Sequence, residues 1–223
     1  MSGPHEGGPV VFRGARLEQA RLVAIMLHGR GGSADDILSL GDHFGATDIA
    51  FVAPEASGRS WWPQSFLAPH EANEPHLSSA LSVVDQLASK IEGSGAPSDR
   101  IVLCGFSQGA CLALEHAART ARQYRAVFGL SGGLVGTSNA DDAQVEELYG
   151  YGQKTFDYSN RKDGMTVYMG CHERDPHIPL ARVDRSAEVF KELGANVMVD
   201  VLPGAGHGII EGEIERMKLI LAR

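Results

Sequence analysis

Gly105-Phe106-Ser107-Gln108-Gly109 joins an aliphatic run, Ile101-Val102-Leu103-Cys104, to a stretch with helical spacing that starts at Gln108. A G-x-S-x-G match alone is a weak pattern. Between a strand and a helix it acquires a physical meaning: the turn is tight enough to strain the serine backbone, and the flanking glycines let strand and helix approach. The Ser107 hydroxyl is then lifted toward the edge of a sheet. The Gln108 N–H falls at the helix start, where unpaired donors and the helix dipole favour developing negative charge. The chemistry implied is nucleophilic attack by Ser107 on a carbonyl carbon.

A serine hydroxyl attacks at neutral pH only when an imidazole accepts its proton and a carboxylate fixes the imidazole tautomer. Downstream of Ser107 the histidines are His116, His172, His177 and His207. His116 falls inside the helix after the turn and points away from the edge. His207, in Pro203-Gly204-Ala205-Gly206-His207-Gly208, lies between a strand and the last helix and is the expected base. His172 and His177 read as rim residues. For the acid, Asp175 directly follows the expected strand 165–170, and Pro176 fixes the backbone after it. Asp157, Asp163, Asp184 and Asp200 lie before a strand, within a helix or inside a strand; Glu173 is the nearest competitor.

A second oxyanion donor is expected from the glycine-rich loop His28-Gly29-Arg30-Gly31-Gly32, with the Arg30 N–H joining that of Gln108. The Arg30 guanidinium reads as solvated, with an anionic substrate group as the alternative. His28 reads as a structural residue bonded within its loop. Trp61, Trp62 and Phe66 are candidate walls of an acyl pocket, against the alternative that one tryptophan is core packing. His172-Glu173 begins like H-E-x-x-H, but His177 is one residue too far along for two ligands on one helical face, so no metal is expected. Cys104, Cys111 and Cys171 have no C-x-x-C spacing; Cys104 and Cys111 flank the turn and read as inert by burial.

These side chains need elements to hold them. Short aliphatic runs at 22–27, 49–53, 101–104, 126–130, 165–170 and 197–202 predict buried strands. They alternate with helical periodicity over 33–44, 76–91, 108–120, 180–193 and 211–221. That order predicts an α/β fold with a mostly parallel sheet covered on both faces and ligands at the carboxyl ends of the strands. Residues 3–9 read as a flexible tail, without a secretory pattern. The polar and aromatic stretch 136–164 reads equally as a functional loop or a mobile one. The 223 residues fit one domain, residues 10–223, and leave no room for a large cap. A formal charge of −8 argues against nucleic acid and anionic membrane as partners.

Leu27-His28-Gly29-Arg30-Gly31-Gly32, Ala53-Pro54-Glu55, Ser60-Trp61-Trp62, Gly105–Gly109, Leu130-Ser131-Gly132-Gly133, Asp175-Pro176-His177-Ile178-Pro179 and Pro203–His207 together resemble the phospholipase/carboxylesterase family of α/β-hydrolases. That family includes the acyl-protein thioesterases. The match spans nearly the whole chain in order, and the His28–Gly32 loop is more similar to the bacterial carboxylesterase branch. The resemblance implies a cytosolic serine hydrolase of carboxylic esters or thioesters, without cofactor, and supports Ser107, Asp175 and His207 in the roles argued above. Small or medium soluble esters are the expected substrates. The alternatives are an acyltransferase using the same three residues and a non-catalytic ligand-binding module on the same fold.

Overall fold

The computed structural model describes residues 3–141 and 143–222. Its frame is a seven-stranded sheet of β1 (Val10–Gly14), β2 (Leu22–Leu27), β3 (Ile49–Pro54), β4 (Ile101–Phe106), β5 (Ala126–Leu130), β8 (Thr166–Arg174) and β9 (Asn196–Ala205), in the spatial order β1-β3-β2-β4-β5-β8-β9. All neighbours are parallel except the β1–β3 pair. β2, β3 and β5 are buried at every position, as parallel strands covered on both faces must be. Alternation survives inside them. Val23, Ile25 and Leu27 pack with α2 (His76–Gly93), α3 (Gln108–Arg119) and α4 (Leu180–Glu192), whereas Leu22, Ala24 and Met26 face α1 (Ala34–Asp42) and α5 (Glu211–Leu221).

The six predicted strands and five predicted helices are present, with shifted ends. β8 continues to Arg174 and β9 to Ala205, so the loops carrying Asp175 and His207 start from paired backbone. α1 opens at a capping box between Ser33 and Asp36, and its Ala34 N–H donates to Glu55 Oε2 at 3.1 Å. Among the described residues no helix is long and apolar enough to cross a membrane.

Two regions depart from the sequence reading. β1 was not expected: it is an antiparallel edge strand with alternating partial exposure and has no continuous apolar run to announce it. The stretch read as a flexible tail is anchored at His5, which is 2% exposed. His5 donates from Nε2 to Trp61 O at 2.8 Å, accepts the Ser57 N–H on Nδ1 at 3.1 Å, and gives its own N–H to Ser79 Oγ at 2.9 Å. Within 136–164, β6 (Ser138–Asn139) pairs with β7 (Lys154–Thr155). Lys154 ties this hairpin to the Asn139 side chain at 2.7 Å and to the carbonyl of Ala68.

Candidate active site

At the end of β4 the chain turns so sharply that Ser107 adopts φ 55° and ψ −119°, a region that L residues rarely occupy. Its N–H donates to Leu130 O at 2.9 Å and its carbonyl accepts the Cys111 N–H at 3.0 Å, so backbone bonds hold the strained geometry. Both motif glycines are required by contact. A Cβ on Gly105 would lie 2.1 Å from Gly109 O, and one on Gly109 would lie 2.1 Å from Leu27 O. The Ser107 hydroxyl caps no helix donor and stands free for other partners.

Its partner is His207. Nε2 lies 2.8 Å from Ser107 Oγ, and Nδ1 lies 2.8 Å from Asp175 Oδ2. Asp175 Oδ1 meanwhile accepts the His177 and Ile178 N–H groups at 2.9 and 3.1 Å. A carboxylate only accepts, so the His207 Nδ1–H is the donor and Nε2 is left to accept the serine proton. Asp175 is 1% exposed. Burial works to raise its carboxyl, but the bonds from His207, His177 and Ile178 outweigh it and hold the group below the usual carboxylate range. The His207 ring packs between Phe106, at 5.1 Å, and His177, edge-on at 4.9 Å. His172 presses against Gly206, where a Cβ would come within 2.8 Å of the ring. His116 is bonded to the Tyr124 hydroxyl inside the core, away from the site.

The loop after β2 closes the other side. Among the described residues the N–H groups of Arg30 and Gln108 donate to no protein acceptor. A Cβ on Gly29 would sit 3.3 Å from Ser107 Cβ. His28 shapes this loop: Nε2 accepts the Ala56 N–H at 3.1 Å, so Nδ1–H donates to Gly29 O at 2.7 Å. Burial holds the ring neutral, with its pKa below the ordinary value. Arg30 is exposed, as expected, but two of its guanidinium donors are engaged. It donates to Pro63 O at 2.8 Å and Gln64 O at 2.6 Å, clasping the facing loop.

A cleft of about 450 Å³ opens at Ser107 and His207, walled by Trp62, Phe66, Cys111 and Ile178. Trp61 does not join it, contrary to the expectation from sequence. Its indole N–H donates to His28 O at 2.9 Å and its ring lies against His28 and His5, so it is core packing beneath the loop. The Gln108 side chain has a role the sequence did not reveal: Oε1 accepts the Trp61 N–H and Nε2 donates to Trp62 O, each at 2.8 Å. Tyr149, from the 136–164 segment, donates its hydroxyl to the Asp175 carbonyl. Gly150 after Tyr149 fits a tight turn, where Tyr149 itself takes φ 55°, but nothing in the local sequence says where the ring reaches. The Cys104 and Cys111 thiols are buried and pushed up to about 12, which leaves them unreactive.

A mostly parallel sheet with a serine on a strained strand-to-helix turn, followed in chain order by an acid and a histidine on later loops, defines an α/β-hydrolase. The model of the phospholipase/carboxylesterase family matches residues 8–222, and the chain belongs to that family. A crystal structure of a phospholipase/carboxylesterase from Dyadobacter fermentans is similar at TM-score 0.85 and 35% identity, covering 96% of this chain and 97% of that one. Acyl-protein thioesterase 1 of Gibberella zeae is 31% identical over 130 residues, 58% of this chain and 50% of that protein. Lysophospholipase-like protein 1 of Mus musculus is 25% identical over 213 residues, 87% and 83% of the two chains. The match spans about half the length of the acyl-protein thioesterase relatives.

Proposed function

We propose that the protein is a serine hydrolase that cleaves small or medium carboxylic esters and thioesters through an acyl-enzyme on Ser107. The observation that carries this reading is His207, 2.8 Å from both Ser107 Oγ and Asp175 Oδ2. Ser107 Oγ attacks the acyl carbonyl carbon as His207 Nε2 takes its proton, and Asp175 stabilises the imidazolium. The Arg30 and Gln108 N–H groups hold the oxyanion; removing one such donor typically costs about 3 kcal/mol of transition-state stabilisation. His207 then protonates the departing alcohol or thiol, and the same imidazole activates the water that releases the acid. The acyl group occupies the cleft of Trp62 and Phe66. No step calls for a cofactor, and three buried thiols suit a reducing cytosol.

A fluorophosphonate probe is expected to label the folded protein at Ser107 and to leave Ser107→Ala unlabelled. Absence of labelling on folded wild type favours the non-catalytic binding module. Product analysis with and without an added alcohol separates hydrolysis from acyl transfer, and nitrophenyl esters of rising chain length set against acyl thioesters define the preferred substrate.

A further inference from the structure

We propose that a second, apolar groove on the far side of the Arg30 loop receives the alcohol or thiol arm of the substrate, and that this arm is apolar and several carbons long. The proposal rests on the hydrolase reading above. The groove encloses about 370 Å³ between α1 and the segment entering α5, and its walls are Ile37 and Leu40 on one side, Ile209 and Ile214 on the other, with Phe106 at the base. It adjoins the reacting centre through Phe106, whose ring packs on His207 at 5.1 Å. Gly29, at its inner end, packs closely on the nucleophile turn: a Cβ there would meet Ser107 Cβ at 3.3 Å and the Phe106 ring at 3.2 Å. Arg30 lines both this groove and the Trp62–Phe66 cleft, so one residue divides them.

The chemistry of the tetrahedral intermediate explains why two depressions are needed. Its carbon carries the serine oxygen, the oxyanion and two diverging arms. The departing atom must lie where the His207 Nε2 proton reaches it. Phe106 packs against the His207 ring and Ile209 follows it by two residues, and both form walls of the groove. An arm leaving from beside His207 therefore has this groove next to it, while the acyl arm takes the opposite cleft. Asp36, whose Oδ2 accepts the Ser33 backbone N–H at 2.8 Å, lines the groove together with Arg30, so the rim carries both signs and the apolar walls do the selecting.

The test uses acetate esters of ethanol, butanol and hexanol with the full chain, beside ethyl esters of lengthening acids. Wild-type kcat/KM is expected to rise about threefold per alcohol methylene. Ser39→Trp, on the exposed side of α1 at the groove wall, is expected to flatten that series. Hexyl acetate should fall about tenfold while ethyl acetate and the acyl series stay within about twofold. Ile214→Trp repeats the test from the opposite wall should the first variant not fold. A wild-type rate indifferent to alcohol length, or equal losses on ethyl and hexyl acetate in both variants, overturns the groove assignment and leaves the hydrolase reading standing. Turnover that survives in Ser107→Ala overturns both.

Discussion

Asp175 answers to four groups at once: three N–H donors on its carboxylate and the Tyr149 hydroxyl on its carbonyl. An amide in its place cannot accept on both sides, so Asp175→Asn is expected to turn its NH2 toward either the loop or His207 and to spoil the tautomer. Steady-state kinetics should show kcat lower by about 10⁴ with KM little changed. Ser107, Asp175 and His207 were legible in the sequence because each stands just beyond an aliphatic run, where the sheet edge must be. Trp61 was not, because its burial depends on His5 and His28, which come from distant parts of the chain. The clasp that the exposed Arg30 makes was hidden for a related reason: its acceptors are the backbone carbonyls of Pro63 and Gln64, and every residue type supplies a carbonyl.

Among the elements, those with a buried face on each side declared themselves by periodicity, and those held by single contacts did not. β1 and the β6–β7 pair belong to the second kind, as does the arm before β1. That arm has consequences for the site: His5 holds Trp61 O, and the Trp61 N–H holds the side chain of Gln108, the residue that follows Ser107. His5→Ala removes two bonds to the 57–61 turn, one buried and one partly buried, and leaves the Ser57 N–H without its acceptor. The expected cost is about 2 kcal/mol, read as a fall in melting temperature of roughly 5 °C. A melting temperature equal to wild type would show the arm to be dispensable.

At the scale of the whole molecule, stability is tied to acidity through Glu213 beneath the sheet. It is 1% exposed, and a Cβ on Gly170 would lie only 1.9 Å from its Oε1. Burial lifts its carboxyl from 4.5 to about 7, against the pull of the Ile210 N–H. The unfolded chain gives up this proton first, so between these values the folded state holds more protons and stability falls as pH rises. Glu213→Gln keeps an acceptor for Ile210 and carries no charge. Its melting temperature should gain on wild type from pH 5 to pH 8 by the equivalent of up to about 3 kcal/mol, then level off. Thermal melts across that range check the sign.

The contorted backbone at residue 107 sets durability against turnover. Glycine adopts a positive φ freely, whereas serine and alanine do not. Ser107→Gly is therefore expected to be inert and yet to outlast Ser107→Ala on heating, by about 1–2 kcal/mol in parallel denaturation curves. A chain tuned for ruggedness alone would carry no hydroxyl there, so endurance and chemistry pull in opposite directions at this one position.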